Sequence, residues 1–320
     1  MHELVQKLFI ESFRNDFLME MNDSALVEAP GARIAMTTDS YVVDPIIFPG
    51  GDIGSLAVHG TVNDLAMRGA KPLYLTVGFI LEEGLSLDVL RKIIGSMAEA
   101  ARSAGVLIVA GDTKVVPRGK ADKIFINSSG IGSVPPGVCV GGQYARAGDA
   151  VLINGSIGDH GMAVLCKREG LALENEIVSD SAPLNDLVEE MLHACPSIHV
   201  LRDPTRGGVA TTLNEIAQQS GVGIRLYEED LPIREDVAGA CELLGFDPLY
   251  VANEGKVLAF VPPESMEIVL HTMREHPLGR NACRIGEAVA SDPGRVFLRT
   301  RIGGHRLVDM LRGEQLPRIC

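Results

Sequence analysis

Residues 87–114 read LDVLRKIIGSMAEAARSAGVLIVAGDTK, and within this stretch the apolar spacing changes its period. Leu90, Ile93, Ile94, Met97 and Ala101 recur mostly at three or four positions, the stripe of a helix over 87–104. Ser86 stands where an N-cap satisfies an orphan amide, and Gly105 stands where a left-handed residue closes the last turn. From 106 to 110 the chain is apolar without interruption, which predicts a buried strand that delivers Gly111 and Asp112 at its exit. A helix feeding a strand that ends on a carboxylate is a joint from which α/β folds are assembled.

The same alternation extends outward. Strands are expected over 32–37, 73–81 and 124–132, and a helix over 55–68. Pro135-Pro136-Gly137 and Gly141-Gly142 then interrupt the pattern, which starts afresh at Gly148-Asp149 and a strand over 150–154. Helices follow over 161–169, 185–194, 209–220 and 263–274, with strands over 223–226 and 257–261. The chain therefore reads as a mixed α+β and α/β protein of two domains, divided near 140–147.

Composition narrows the function classes. With 320 residues and 46% hydrophobic content, two ordinary cores can be buried. The net charge of -13 and the dispersal of the 29 lysines and arginines argue against a nucleic-acid surface. Aromatic residues make only 4% of the chain, too few for a base-stacking platform. No apolar run could span a bilayer, and the start, MHELVQKLF, lacks the features of a signal peptide, so a cytoplasmic location is expected. Six cysteines are scattered with neither C-x-x-C nor zinc spacing, and five are expected to be small core residues. The sixth, Cys320, stands in LPRIC at 316–320, a short arm with a sulfur tip whose neighbouring carboxylate disfavours the thiolate.

Asp39, Asp64 and Asp112 sit in small, hydroxyl- or amide-rich surroundings, and two of them follow strands directly. Such carboxylates suit Mg²⁺ on a nucleotide, or each simply caps a turn. There is no G-x-x-x-x-G-K-[ST], so this is not a P-loop protein. Gly155 to Gly161 could cradle an anion or make a tight strand-to-helix turn. His59 and Asn63, one helical turn apart, face a ligand together or are satisfied in the interior. Arg202 and Arg206 are phosphate contacts or surface charges, and Glu254 is a base or a loop carboxylate.

In order, the chain carries TTDSYVVDP (37–45), FPGGDIGSLAVHGTVNDLAMRGAKP (48–72), FILEEGL (79–85), GDTKVV (111–116), RDPTRGGV (202–209), ELLGFDPLYVANEGK (242–256), HPLG (276–279) and PRIC (317–320). This set closely resembles the HypE family of nickel-iron hydrogenase maturation proteins, carbamoyl dehydratases of the AIR synthetase (PurM-like) ATP-binding superfamily. The resemblance implies an N-terminal ATP-binding domain over 1–140 whose sheet pairs with a second subunit in a homodimer. It further implies an α/β C-terminal domain over 146–308 and a mobile tail over 309–320. The implied activity is ATP-dependent dehydration of an S-carboxamide on Cys320 to a thiocyanate, a cyanide donor for the hydrogenase iron. The implied partners are the carbamoyltransferase HypF and the HypC–HypD iron scaffold.

By the same resemblance, Cys320 carries the substrate, Glu254 removes the amide proton, and Lys114 steadies the developing charge. Asp39, Asp64 and Asp112 would hold Mg²⁺, and Asn63, Gly111 and Thr113 would join them around ATP. Family members also carry a G-S-G-G loop just upstream of the first helix, and here the chain begins at Met1-His2-Glu3-Leu4 without it. Either the given start lies downstream of the natural one, or the remaining loops bind phosphate. The alternatives are a synthetase or kinase of the superfamily acting on a free small molecule, with no adduct on the chain, and a non-catalytic assembly scaffold, with no ATP turnover.

Overall fold

A computed structural model describes residues 20, 22, 25–29, 32–171, 175–311 and 318–320. The N-terminal start and Pro317, both used in the expectations above, lie outside them. The first half of the described chain runs β1 (Ala25–Ala29), β2 (Ala32–Tyr41), a short ribbon of β3 (Ile47–Phe48) and β4 (Gly51–Asp52), and α1 (Ile53–Met67). It continues through β5 (Lys71–Glu82), α2 (Leu87–Ser103), β6 (Leu107–Val116) and β7 (Ile124–Val134). These strands make a five-stranded sheet in the order β1-β2-β7-β5-β6, with only β5 and β6 parallel.

Twelve of the fifteen α1 residues are buried, because α1 lies between this sheet and the helices α2 and, further on, α4 (Asn185–Ala194). A helix covered on every side has no polar stripe, which is why this segment is apolar nearly all round. It begins at Ile53, ahead of the expected 55, because the Asp52 carboxylate accepts the amides of Gly54 and Ser55 at 2.8 and 3.2 Å. Gly54 lets α2 approach: a Cβ there would lie 2.3 Å from the Ile93 carbonyl.

Helix α2 has the expected caps, with Ser86 accepting the Asp88 amide and Gly105 at φ 68°. Its buried stripe is Ile93, Met97, Ala100 and Ala101, while Ile94 faces outward. The strand expected to be buried after it is not buried. Every residue of β6 but the last is exposed, because among the described residues β6 forms the sheet edge and pairs with β5 alone. An unbroken apolar run looks the same in sequence whether its own chain covers it or leaves it open.

After Gly141, which begins a short 3-10 turn, the second half runs β8 (Ala150–Ile153), α3 (Asp159–Glu169), α4, β9 (Val200–Arg202), α5 (Gly208–Ser220), β10 (Gly223–Tyr227) and α6 (Glu235–Leu244). It ends with β11 (Leu258–Val261), α7 (Met266–Glu275), β12 (Cys283–Val289), β13 (Val296–Arg299) and β14 (His305–Val308). Its seven strands lie in the order β14-β13-β10-β12-β8-β11-β9. Strands β8 and β11 are buried along their whole length, as central strands covered on both faces must be. One apolar core joins the halves: Leu65 and Met67 of α1 share it with Leu187 and Met191 of α4 and with Val257, Ala259 and Val269. Of the five cysteines expected inside, Cys166, Cys195 and Cys241 are buried, Cys283 is half-buried, and Cys139, in the loop after β7, is exposed. No described helix is long and apolar enough to cross a membrane.

Candidate active site

The end of the chain is docked. Residues 318–320 lie along 42–44, which directly follow β2: the Val42 amide donates to the Cys320 carbonyl at 3.0 Å, and the Asp44 amide to the Arg318 carbonyl at 3.1 Å. The Arg318 guanidinium returns a bond to the Val42 carbonyl at 3.2 Å and pairs with Asp122. Ile319 is buried in the core formed by α1, α2 and the first sheet, which anchors the tip. From α3, His160 Nε2 lies 2.9 Å from the Ile319 carbonyl, and Arg168 donates to the Arg318 carbonyl at 2.6 Å.

This docking places the Cys320 thiol, half-buried, 3.5 Å from the Arg206 guanidinium at the start of α5. Burial, reinforced by the negative charges of Glu254 and Asp39, pushes the thiol up to about 12, with Arg206 opposing. The sulfur is thus held as a thiol.

Glu254 is buried in the turn between α6 and β11. Its amide donates to Asp180 Oδ1 at 3.1 Å and its carbonyl accepts from Asn63 at 3.1 Å, so the backbone is held at both ends. Gly255 must be glycine for this close approach, since a Cβ would fall 1.8 Å from the Asp180 carbonyl oxygen. Glu254 Oε1 is buried with no hydrogen-bond partner among the described residues. Burial first, then the carboxylates of Asp203, Asp39 and Asp180, drive its pKa well above the ordinary glutamate range. A buried, orphaned acceptor with a high proton affinity is equipped to take a proton from a group delivered to it.

Asp39, half-buried on β2, is likewise raised by burial, opposed by the Ser40 amide at 2.8 Å, by Tyr41 and by Arg206. Asp64 on α1 accepts from the Thr37 hydroxyl at 2.7 Å. Both charges, with Glu254, raise the buried Tyr41 phenol, although burial is the larger cause. Cys320, Glu254, Asp39, Asp64 and Tyr41 therefore form one electrostatic group.

The other expected site residues are placed differently. Asp39 is opposite Ser128 on β7, Ser128 opposite Val77 on β5, and Val77 opposite Gly111 on β6. Three strand spacings, about 14 Å, separate that row's ends, so Asp112, in the next row of β6, shares no metal ion with Asp39 within one chain. Among the described residues no group of three or more His, Cys, Asp or Glu could hold a metal. Gly111, Thr113 and Lys114 lie on the same exposed edge, where Lys114 pairs with Asp112 at 2.8 Å and touches neither Cys320 nor Glu254.

Asn63 is bonded to the protein on three sides. Its amide hydrogens go to the Ala182 and Glu254 carbonyls, both at 3.1 Å, and its oxygen accepts the Leu184 amide at 2.8 Å. It braces the site, with both amide hydrogens spent on the protein. His59 bonds Ser181 at 2.9 Å, and burial lowers its pKa to about 4, the interior reading. The Gly155–Gly161 segment is a packed turn: the Ile157, Gly158 and Gly161 amides bond the Pro232 carbonyl, Asn253 Oδ1 and the Ala252 carbonyl.

Arg206, which the sequence allows as phosphate contact or surface charge, lies on the thiol. Arg168 and Asp180 carried no signal, and His160 only its place in the Gly155–Gly161 segment, because no spacing reports a partner 74 to 159 residues away.

Two family models match the chain: AIR synthase related protein, N-terminal domain, over residues 21–134, and AIR synthase related protein, C-terminal domain, over 146–299. The chain is 57% identical over 320 residues to carbamoyl dehydratase HypE of Azotobacter vinelandii, covering 100% of this chain and 94% of that one. A crystal structure of a HypE–HypF complex is similar at TM-score 0.92 and 53% identity, covering 96% of this chain and 99% of that one. A crystal structure of hydrogenase maturation protein HypE in complex with ATP is similar at TM-score 0.88 and 54% identity, covering 100% and 96%.

Proposed function

The chain belongs to the HypE family of carbamoyl dehydratases within the AIR synthase related proteins, and from that premise we infer that its own Cys320 carries the substrate. It is a carbamoyl dehydratase of hydrogenase maturation. The observation that carries the residue-level reading is the docked tip: the Cys320 thiol lies within the field of Glu254, a buried carboxyl with a high proton affinity and an unused acceptor oxygen.

A carbamoyl group on the sulfur is an S-carboxamide, S–C(=O)–NH₂. Its oxygen is a poor leaving group, so the carbonyl oxygen attacks the terminal phosphate of ATP and ADP departs. Loss of the two N–H protons and cleavage of the C–O bond then release phosphate and leave S–C≡N. Glu254, in its carboxylate form, takes one N–H proton at Oε1 and the departing phosphate carries the other, while Arg206, the cation bonded to the sulfur, stabilises negative charge as it builds beside it.

Mg²⁺ held jointly by Asp39, Asp64 and Asp112 does not fit within one chain, for the strand-spacing reason above. The exposed edge strand β6 offers a resolution. Leu107, Val109 and Val115 are 63%, 57% and 68% exposed, and one side of the strand has no ladder partner among the described residues. Such an edge is a template for pairing. A second copy is proposed to pair there, making a homodimer in which Asp112, Thr113 and Lys114 serve a site across the interface. A HypF-type carbamoyltransferase is proposed as the loading partner, an iron scaffold of the HypC–HypD type as the acceptor, and the cytoplasm as the place of action.

Intact-protein mass spectrometry tests the reading. Carbamoyl-loaded protein should lose one water when ATP is added, Cys320→Ala should never load, and Glu254→Gln should load but not dehydrate. ATP turnover with no adduct on the chain would favour a small-molecule synthetase, and binding without turnover would favour a scaffold.

A further inference from the structure

A buried histidine and a half-buried arginine on α3 have no part in the chemistry above, yet both reach the tail. His160, fully buried near the start of α3, and Arg168, two turns on, bond the carbonyls of Ile319 and Arg318. Arg168 also donates to the Asp44 carbonyl at 2.7 Å, tying the tail to the segment on which it lies.

The hydrogen-bond pattern fixes which nitrogen of His160 does this. The Ile319 carbonyl oxygen, 2.9 Å from Nε2, can only accept, so in the neutral ring Nδ1 is the acceptor and takes the hydroxyl hydrogen of Ser179 at 2.8 Å, while Ser179 Oγ accepts the Ser181 amide at 3.1 Å. Nε2 then carries the ring hydrogen and donates to the Ile319 carbonyl. The ring is held edge-on against Phe48, with centroids 5.4 Å apart. Both side chains grip main-chain oxygens and leave the sulfur to Arg206 and Glu254. A grip on the backbone sets where the last residue sits without touching the group that reacts.

We propose that His160 and Arg168 are positioning residues, a backbone clamp that holds residues 318–320 in the dehydration position and opposes their release for loading. The proposal rests on the carbamoyl-carrying role of Cys320. Its kinetic consequence has opposite signs at the two stations: a weaker clamp slows dehydration and exposes the thiol.

The test uses the full chain, in four forms: wild type, His160→Ala, His160→Gln and Arg168→Met. First, labelling of the resting protein with a maleimide is followed by peptide mass spectrometry, with the exposed Cys139 as internal reference. His160→Ala and Arg168→Met should label Cys320 about tenfold faster relative to Cys139, the size expected for one buried hydrogen bond. His160→Gln, which retains an N–H donor, should restore part of the protection. Second, in a single turnover with saturating ATP, protein already carbamoylated should dehydrate about tenfold more slowly in the first two variants. Carbamoylation by the transferase should not slow.

Unchanged Cys320 labelling in both weakened variants overturns the clamp. So does a parallel fall of loading and dehydration with a lowered melting temperature, which marks a merely structural role. If wild-type protein never carries an adduct, the functional reading fails, and the labelling arm still reports on the clamp by itself.

Discussion

Asn63 spends its amide on the protein, and that makes its replacement costly. Asn63→Ala would strand the Ala182 and Glu254 carbonyls and the Leu184 amide in the interior. Leaving buried groups unpaired costs about 1–3 kcal/mol each, so a loss of roughly 3 kcal/mol or more is expected in denaturant unfolding. A loss under about 0.5 kcal/mol, the range of neutral surface changes, would contradict the brace. His59 gives the pH prediction at the same scale. Its pKa falls from 6.5 to about 4 on folding, so between these values the unfolded chain binds more protons. This contribution to stability is full above 6.5 and is lost as the pH falls toward 4, to an extent of roughly 3 kcal/mol. Unfolding free energy measured between pH 7.5 and 5 should fall less steeply in His59→Gln; an identical slope would remove His59 as a cause. In the sequence, His59 and Asn63 were a pair one helical turn apart. That spacing was real, but the atoms they meet at 181–184 and 254 lie on segments that helical periodicity does not report.

At the scale of elements, α2 and β6 show where local pattern succeeds and stops. The period of α2, its Ser86 cap and its Gly105 closure are all set by neighbours within a few residues, and all are present. The burial of β6 depends on strand order, which places it at the edge beyond β5. If a second copy covers that edge, replacing Val109 and Val115 together with lysine should turn a dimer into a monomer in sedimentation velocity, because charge on an edge blocks pairing. A dimer that survives both lysines would put the interface elsewhere. Gly255 belongs here too: its contact with the Asp180 carbonyl is what lets the turn before β11 carry Glu254 into the interior.

For the whole molecule, the alternation of helical and strand periods, the Pro- and Gly-rich break near 135–142 and the ordered motifs were enough to establish the fold class and the family. They are local properties, repeated along the chain, and survive without knowledge of any distant contact. The resemblance also pointed to Cys320 and Glu254, a terminal thiol and a glutamate beside glycine whose roles spacing by itself left open. What these local properties could not decide was which marked residues meet. That followed from stacking α1 between the first sheet and the helices α2 and α4, which brings segments 42–44, 160, 206 and 254 around the last three residues and leaves Asp112 and Lys114 on an open edge. Sequence by itself determined the elements and the reactive groups; only the tertiary structure decided their meeting, since contacts across more than a hundred residues are fixed by packing and strand order.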